Sequence, residues 1–258
     1  MAGNLKITDV ERIVVSVPFT PRCEIWNARE VYQWRITEII RLSTDSPGIV
    51  GFGETIIHYT FGCVSDEAIE RVMGGNPADF LGDDSLGAGL QMAMYDVVGK
   101  ALGVPAYRLF NLPRVREWCP ISWWTIDMPA ADWAQQCSQA VARGYTTAKL
   151  KTRTMYDVHA GIRAILEVVP PQFRLDLDFN GSLVTAAQAL PLLKSLEQYQ
   201  QLAMIETPIP QADVSGNQQI RRRLNRPIAM HMGDPPIATA IKQDVTDGFI
   251  LGGPAREL

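Results

Sequence analysis

The sequence is short of several things, and each shortage excludes something. Only four cysteines occur in 258 residues, Cys23, Cys63, Cys119 and Cys137, and no two form a CxxC pair. That excludes a CxxC thiolate clip and leaves no disulfide framework to hold the fold, so the plain expectation is reduced thiols in a cytoplasm. No uninterrupted apolar run approaches the ~18 residues that a membrane-spanning helix needs. The opening "MAGNLKITDVERIVV" has charges at once and no long apolar block, so it lacks a secretory pattern. Positive charge is also scarce: the net charge is −4 and the pI about 5.5. Phosphate backbones are held by clustered Lys and Arg, so nucleic acid is not an expected partner. The one tight cluster, Arg221, Arg222 and Arg223, reads as a solvated helix face.

What is present is a change of pattern part-way along. The first ~110 residues contain two alternating apolar and polar runs, "ITDVERIVVSVPF" and "YQWRITEIIRLSTD". The glycine-punctuated "SPGIVGFGET" follows and signals a hairpin return. Next, "LGAGLQMAMYDVVGKALGVPAYRLF" spaces Leu90, Met94, Val97, Val98 and Leu102 as a helix stopped by Gly103 and Pro105. Strands followed by a helix predict an α+β domain over residues 1–112. From there to 258 the pattern is strand then helix, repeated. "CPISWWT", "TTAKLKT", "FRLDLDFN", "LAMIETP", "RPIAMHMG" and "DGFILGG" read as six strands with helical segments between them. Thr185 and Gln188 stand at capping-box spacing before one helix, and Pro191 sits inside it.

Alternating strands and helices predict parallel strands covered by helices. A polar residue at each strand end keeps a beat: Lys151, Asp178, Glu206 and His231 follow one another about every 27 residues. That regularity suggests a (β/α) barrel of TIM type, whose chemistry gathers at the strand C-termini. A doubly wound open sheet would need a glycine-rich phosphate turn after its first strand, and "WWTIDMP" is not one.

Lys149 and Lys151 lie two apart on one strand and therefore point to one face. Asp176, Asp178 and Asn180 alternate along the next strand, and Glu206 ends the third. Taken singly, a KxK reads as surface lysines, a DxDxN as a capped loop start, and His231 as a packed histidine. Together, on consecutive strand ends, they predict carboxylates that need a cation between them. Oxygen ligands suit a hard ion such as Mg²⁺. A metal and a second ammonium would both lower a lysine pKa towards that of a general base.

These residues resemble the enolase superfamily, specifically its mandelate racemase and muconate lactonizing enzyme group. "GFGET" and "MAMYDVVGKALGVPAYRLF" are similar to that group's N-terminal capping domain as it runs into the barrel. "KLK", "LDLDFNG" and "IETPIP" are similar to its second, third and fourth barrel strands. The resemblance implies metal-dependent removal of the proton α to a carboxylate, through an enediolate, in an isomerase or lyase. By position it implies Lys151 as the base and Lys149 as the lysine touching the substrate carboxylate. Asp178 and Glu206 match metal ligands, and Asn180 matches a polar residue beside the substrate. The capping segments 18–30 and 55–63 supply substrate contacts, with Arg22, Trp26 and Tyr59 as candidates beside Arg29 and His58. The substrate is a small carboxylic acid, and an acid-sugar dehydratase or a racemase is the expected outcome.

Two departures from the family stand out. His231 and Met232 occupy the place of the acidic third ligand, so the third ligand is His231, Asp234 or absent. Imidazole there favours Mn²⁺ or another softer ion over Mg²⁺. The chain also carries about six barrel strands where the family has eight, which reads as a C-terminal truncation or as a barrel that a second copy completes in a homo-oligomer. A barrel remnant with a binding or structural role is the alternative function.

Overall fold

In the computed structural model, residues 5–59 and 62–252 are described, apart from the side chains of Arg22 and Glu30. They divide into two compact units, one ending at Glu117 and one running Trp118–Gly252. Among the described residues, no helix is long and apolar enough to cross a membrane.

The first unit is a three-stranded antiparallel sheet of β1 (Ile7–Ser16), β2 (Ile36–Thr44) and β3 (Val50–Ile56), in that order. Three helices accompany it: α1 (Pro21–Glu30), α2 (Asp66–Val72) and α3 (Ala88–Leu102). Proline opens α1, where its missing N–H costs nothing. Ser65 caps α2 by accepting the Ala68 N–H. The apolar stripe read from the sequence faces the sheet: Leu90, Met94 and Val97 share a core with Ile7, Ile40 and Leu42. Each such side chain, fully withdrawn from water, contributes about 1.5–3 kcal/mol. Gly51 and Gly53 let α3 approach β3. A Cβ on Gly53 would lie 1.9 Å from the Gly89 carbonyl oxygen, and one on Gly51 would lie 2.2 Å from that of Ala93.

In the second unit, six parallel strands lie side by side in chain order: β4 (Trp123–Thr125), β5 (Thr147–Lys151), β6 (Arg174–Asp178), β7 (Leu202–Glu206), β8 (Ile228–His231) and β9 (Gly248–Ile250). Between them run α4 (Ala130–Ala142), α5 (Val158–Leu166), α6 (Ala186–Leu196), α7 (Val214–Arg223) and α8 (Ile237–Gln243). The strand expected over "CPISWWT" shrinks to Trp123–Thr125. Pro120 has no N–H for a ladder, and β4 has a neighbour on one side only. The capping signal before α6 is real, since Thr185 Oγ1 accepts the Gln188 N–H at 3.3 Å. The expectation of a solvated arginine face needs amending at Arg221, which binds Asp244 at 2.7 Å and Asp247 at 2.8 Å. Those bonds tie α7 to the turn before β9.

Alternation along the strands sorts the side chains. Leu150, Leu177, Ile205, Ile228 and Met230 are all fully buried or nearly so, on the opposite face from the polar set. Met230 packs with Ala240 of α8 and with Val245. On the other face, register brings Lys151, Asp178, Glu206 and Ala229 abreast. One pleat earlier, Trp124, Lys149, Asp176 and Met204 stand abreast. The loops beyond these strands are strained. Thr154, Asn180, Val184 and Thr207 all have positive φ, 63°, 49°, 64° and 43°. L side chains pay about 1 kcal/mol or more for that conformation, and such residues gather at functional sites.

Candidate active site

The strand ends bring together five of the residues singled out in the sequence. Lys151 Nζ donates to Asp178 Oδ2 at 2.5 Å. Lys149 Nζ stands 3.3 Å from the same oxygen and 2.6 Å from Glu206 Oε2. His231 Nε2 lies 3.2 Å from Glu206 Oε1. Both carboxylates are wholly buried, while His231 is about half exposed. Asn180 serves through its backbone, whose N–H donates to Asp178 Oδ1 at 3.0 Å.

Two carboxylates in one buried pocket titrate differently because their partners differ. Burial works to raise Asp178, but the Lys151 ion pair, helped by Lys149, outweighs it and holds the carboxyl below its ordinary range. Burial also raises Glu206; Lys149 opposes this, the Asp178 charge adds to it, and the net direction is upward. Asp176, one pleat below, is lifted by burial against the pull of Lys149. For Lys149, burial disfavours the charge, yet Glu206 and Asp178 prevail and its pKa lies above the usual lysine value. The nearest neighbours of Lys149 are these anions, and they favour its charged form.

Glu206 is the least satisfied group of the set. Its 2.6 Å approach to Lys149 is an ion pair out of hydrogen-bond alignment, and both of its buried oxygens lack an aligned donor. A buried carboxylate of that kind invites a cation. The trio Asp178, Glu206 and His231 is not assembled as three ligands, and among the described residues no three His, Cys, Asp or Glu side chains are arranged to hold a metal ion. The reason is visible in the distances: the Lys149 ammonium stands between the carboxylates, and the His231 imidazole lies 3.2 Å from Glu206 Oε1. The donor set that fits a divalent cation is thus the Asp178 and Glu206 pair, with His231 behind Glu206.

The remaining candidates lie in the first unit. Trp26 is on α1 beneath the Arg29 guanidinium, 5.0 Å from the ring centre. Tyr59 follows β3 and meets the Trp34 ring at 4.3 Å between centroids. The Arg22 side chain lies outside the described residues. Sequence reasoning missed Asp127, which is buried and accepts the Arg153 and Met155 N–H groups at 3.2 and 3.3 Å. It fixes the loop leaving β5, just past the paired lysines. An acid immediately after a short strand was its one signal. Trp124, abreast of Lys149, was also passed over.

Residues 132–234 match a family model described as enolase C-terminal domain-like. That stretch is similar to the C-terminal domain of the enolase superfamily. Across more of the chain, it is 24% identical over 217 residues to the N-succinyl-L-Arg/Lys racemase of Bacillus cereus, covering 76% of this chain and 58% of that one. It is 29% identical over 199 residues to a D-galactonate dehydratase of Variovorax paradoxus, covering 66% and 51%. The crystal structure of the Bacillus racemase superposes with a TM-score of 0.72 at 22% identity, covering 94% of this chain and 71% of that one. A Bradyrhizobium enolase solved with magnesium and mandelic acid gives 0.68 at 22% identity, covering 97% and 75%. The fold is therefore of the TIM-barrel type seen in those structures, with the barrel incomplete: among the described residues it has six strands, with β4 and β9 at the edges. The chain spans just over half the length of the curated relatives it matches.

Proposed function

We propose that this chain carries the proton-abstracting half of an enolase-type active site, acting on the carbon α to the carboxylate of a small acid. The observation that carries the reading is the unsatisfied buried Glu206 beside Asp178 on consecutive strand ends, with Lys149 of β5 against both carboxylates and Lys151 of β5 against Asp178. Asp178 and Glu206 are the residues that would hold Mg²⁺ or Mn²⁺. When bound, the cation supplies Lewis-acid stabilisation of charge growing on the substrate carboxylate. Lys149 Nζ is the donor for that carboxylate. Lys151 Nζ takes the α-proton, and it does so only as a free amine. That Nζ is held by Asp178 Oδ2 at 2.5 Å, which fixes where the amine stands. Asn180, on the loop leaving β6, is proposed as a substrate contact. Racemisation or acid-sugar dehydration is the outcome, in line with the relatives.

Solvent deuterium exchange tests the reading. In D₂O, a panel of sugar acids and N-acylamino acids should gain deuterium at the α-carbon with the wild type and none with Lys151→Ala. Exchange that survives the substitution removes Lys151 from the role. A second reading, a non-catalytic barrel remnant, is favoured by the lack of a three-ligand cluster among the described residues. The two separate on a melting experiment. A ligand that binds only the folded state raises the melting temperature, so Mg²⁺ or Mn²⁺ that leaves the melt unmoved supports the remnant.

A further inference from the structure

The ladder between β7 and β8 is short. It pairs Ile205 with Ile228 and Glu206 with Ala229, and it ends when the Thr207 N–H reaches the Ala229 carbonyl at 2.9 Å. His231 lies beyond that point. On its far side the β8 end stays bonded to β9, for the Met232 N–H donates to the Ile250 carbonyl at 3.0 Å. Towards β7, what spans the gap is the side chain of Gln211, from the loop that leaves β7. Its Oε1 accepts the Thr207 hydroxyl at 3.1 Å and the His231 N–H at 2.8 Å. Its Nε2 faces the His231 carbonyl at 3.5 Å and donates to the Asp234 carbonyl. The orientation of the amide is self-consistent: the oxygen meets two donors and the nitrogen two carbonyls. One carboxamide thus replaces the ladder bonds that β7 and β8 no longer make.

The Gln211 loop is itself anchored. Asn217, fully buried on α7, donates to the Pro210 and Asp213 carbonyls at 3.0 and 2.9 Å. The loop leaving β6 joins from the other side, where Gly181 N–H reaches the Thr207 carbonyl at 2.7 Å. Thr207 is β-branched at a φ of 43°, a conformation that persists only where its surroundings enforce it. We infer that Gln211 is a positioning residue: it clamps the ends of β7 and β8 together, and by doing so seats the His231 imidazole against Glu206. The inference rests on the reading of these strand ends as the active site, and it adds to that reading the device that fixes the unusual third position.

Two readouts test it, one with and one without metal. Gln211→Met keeps the length and removes all four hydrogen bonds. The protein has three histidines, so ring resonances at fixed pH are readily assigned with a His231→Ala reference. In Gln211→Met the His231 ring lines should move towards free-histidine values while those of His58 and His159 stay put. Unmoved His231 lines in a folded variant overturn the clamp. The second readout is Mn²⁺ affinity by electron paramagnetic resonance in a double-mutant cycle. Outer partners of metal-site residues typically govern affinity by about 10–100-fold. Gln211→Met should weaken Mn²⁺ about 10-fold in the wild-type background and have no further effect in His231→Ala. Equal weakening in both backgrounds shows that Gln211 does not act through His231. A wild type that binds no Mn²⁺ defeats the metal reading of the site, and the imidazole resonances still decide the clamp.

Discussion

Consider Lys149→Met, which deletes the ammonium standing between the two carboxylates. At 2.6 Å from Glu206, a unit charge pair is worth about 6 kcal/mol gross at an effective dielectric near 20. Much of that offsets the desolvation of Glu206, and Lys149 is 24% exposed, so solvent already screens part of the attraction. Glu206 also keeps His231 at 3.2 Å. The expected loss is therefore about 3 kcal/mol, the low end for orphaning a buried charge. Glu206→Gln alone should cost less, about 1 kcal/mol, because Lys149 retains Asp178 at 3.3 Å and reaches water. The double variant has neither charge to orphan. It should lose about 2 kcal/mol rather than the sum of its parents, an interaction energy of about 2 kcal/mol. Urea unfolding at pH 7, with constant slopes across the four proteins, measures the cycle. Strict additivity would falsify the assignment of Lys149 as the counter-ion of Glu206.

The same substitution has a second consequence. If the ammonium and a divalent cation compete for one gap, Lys149→Met should respond more strongly to Mg²⁺ than the wild type does. At a concentration of 100 Kd, binding to the folded state returns about 2.7 kcal/mol, most of what the substitution removes. A variant that is destabilised yet deaf to Mg²⁺ would show that Asp178 and Glu206 do not form a cation site.

The polar site was legible because strand geometry is rigid. A period of two put Lys149 and Lys151 on one face, and a uniform βα repeat brought Lys151, Asp178 and Glu206 abreast. Neither step needs knowledge of loops. What was not legible depends on loops and on which charge wins. The sequence names lysines and carboxylates but not the order in which they pair, so which carboxylate each lysine meets was not legible. The third metal position stayed open between His231, Asp234 and none, because the residues after β8 lie on a loop; in space the imidazole stands 3.2 Å from Glu206. Gln211 was invisible, since a glutamine in a loop has no periodicity and its partners are the backbone at His231 and Asp234. In the first unit, the alternating runs and the stripe on α3 announced the sheet and its covering helix. The helices α1 and α2 carried weaker signals, being short, with Pro21 as the first residue of α1 and Ser65 capping α2.

Three further outcomes check separate parts of the molecule. Gly53→Ala puts a methyl 1.9 Å from the Gly89 carbonyl, so α3 must shift, and a loss of about 2 kcal/mol in a denaturant melt is expected. Burial pushes the Cys137 thiol up to about 12, so a thiol reagent at pH 8 should label the exposed Cys63 and Cys119 promptly and Cys137 only on unfolding. The pH dependence of stability follows from the two carboxylates. Glu206 binds its proton more tightly folded than unfolded, so the folded state carries the extra proton and stability falls as pH rises from its ordinary value of 4.5 up to the raised one. Asp178 has the opposite sign: it is depressed below 3.8, so its contribution is present above that value and is lost as pH falls through the lowered one. Asp176, also raised by burial, adds a decline of the same sign, so Glu206→Gln should lessen the decline on the alkaline side of 4.5 and leave the acid-side loss intact. A variant whose alkaline-side decline is undiminished would mean that Glu206 does not carry the extra proton.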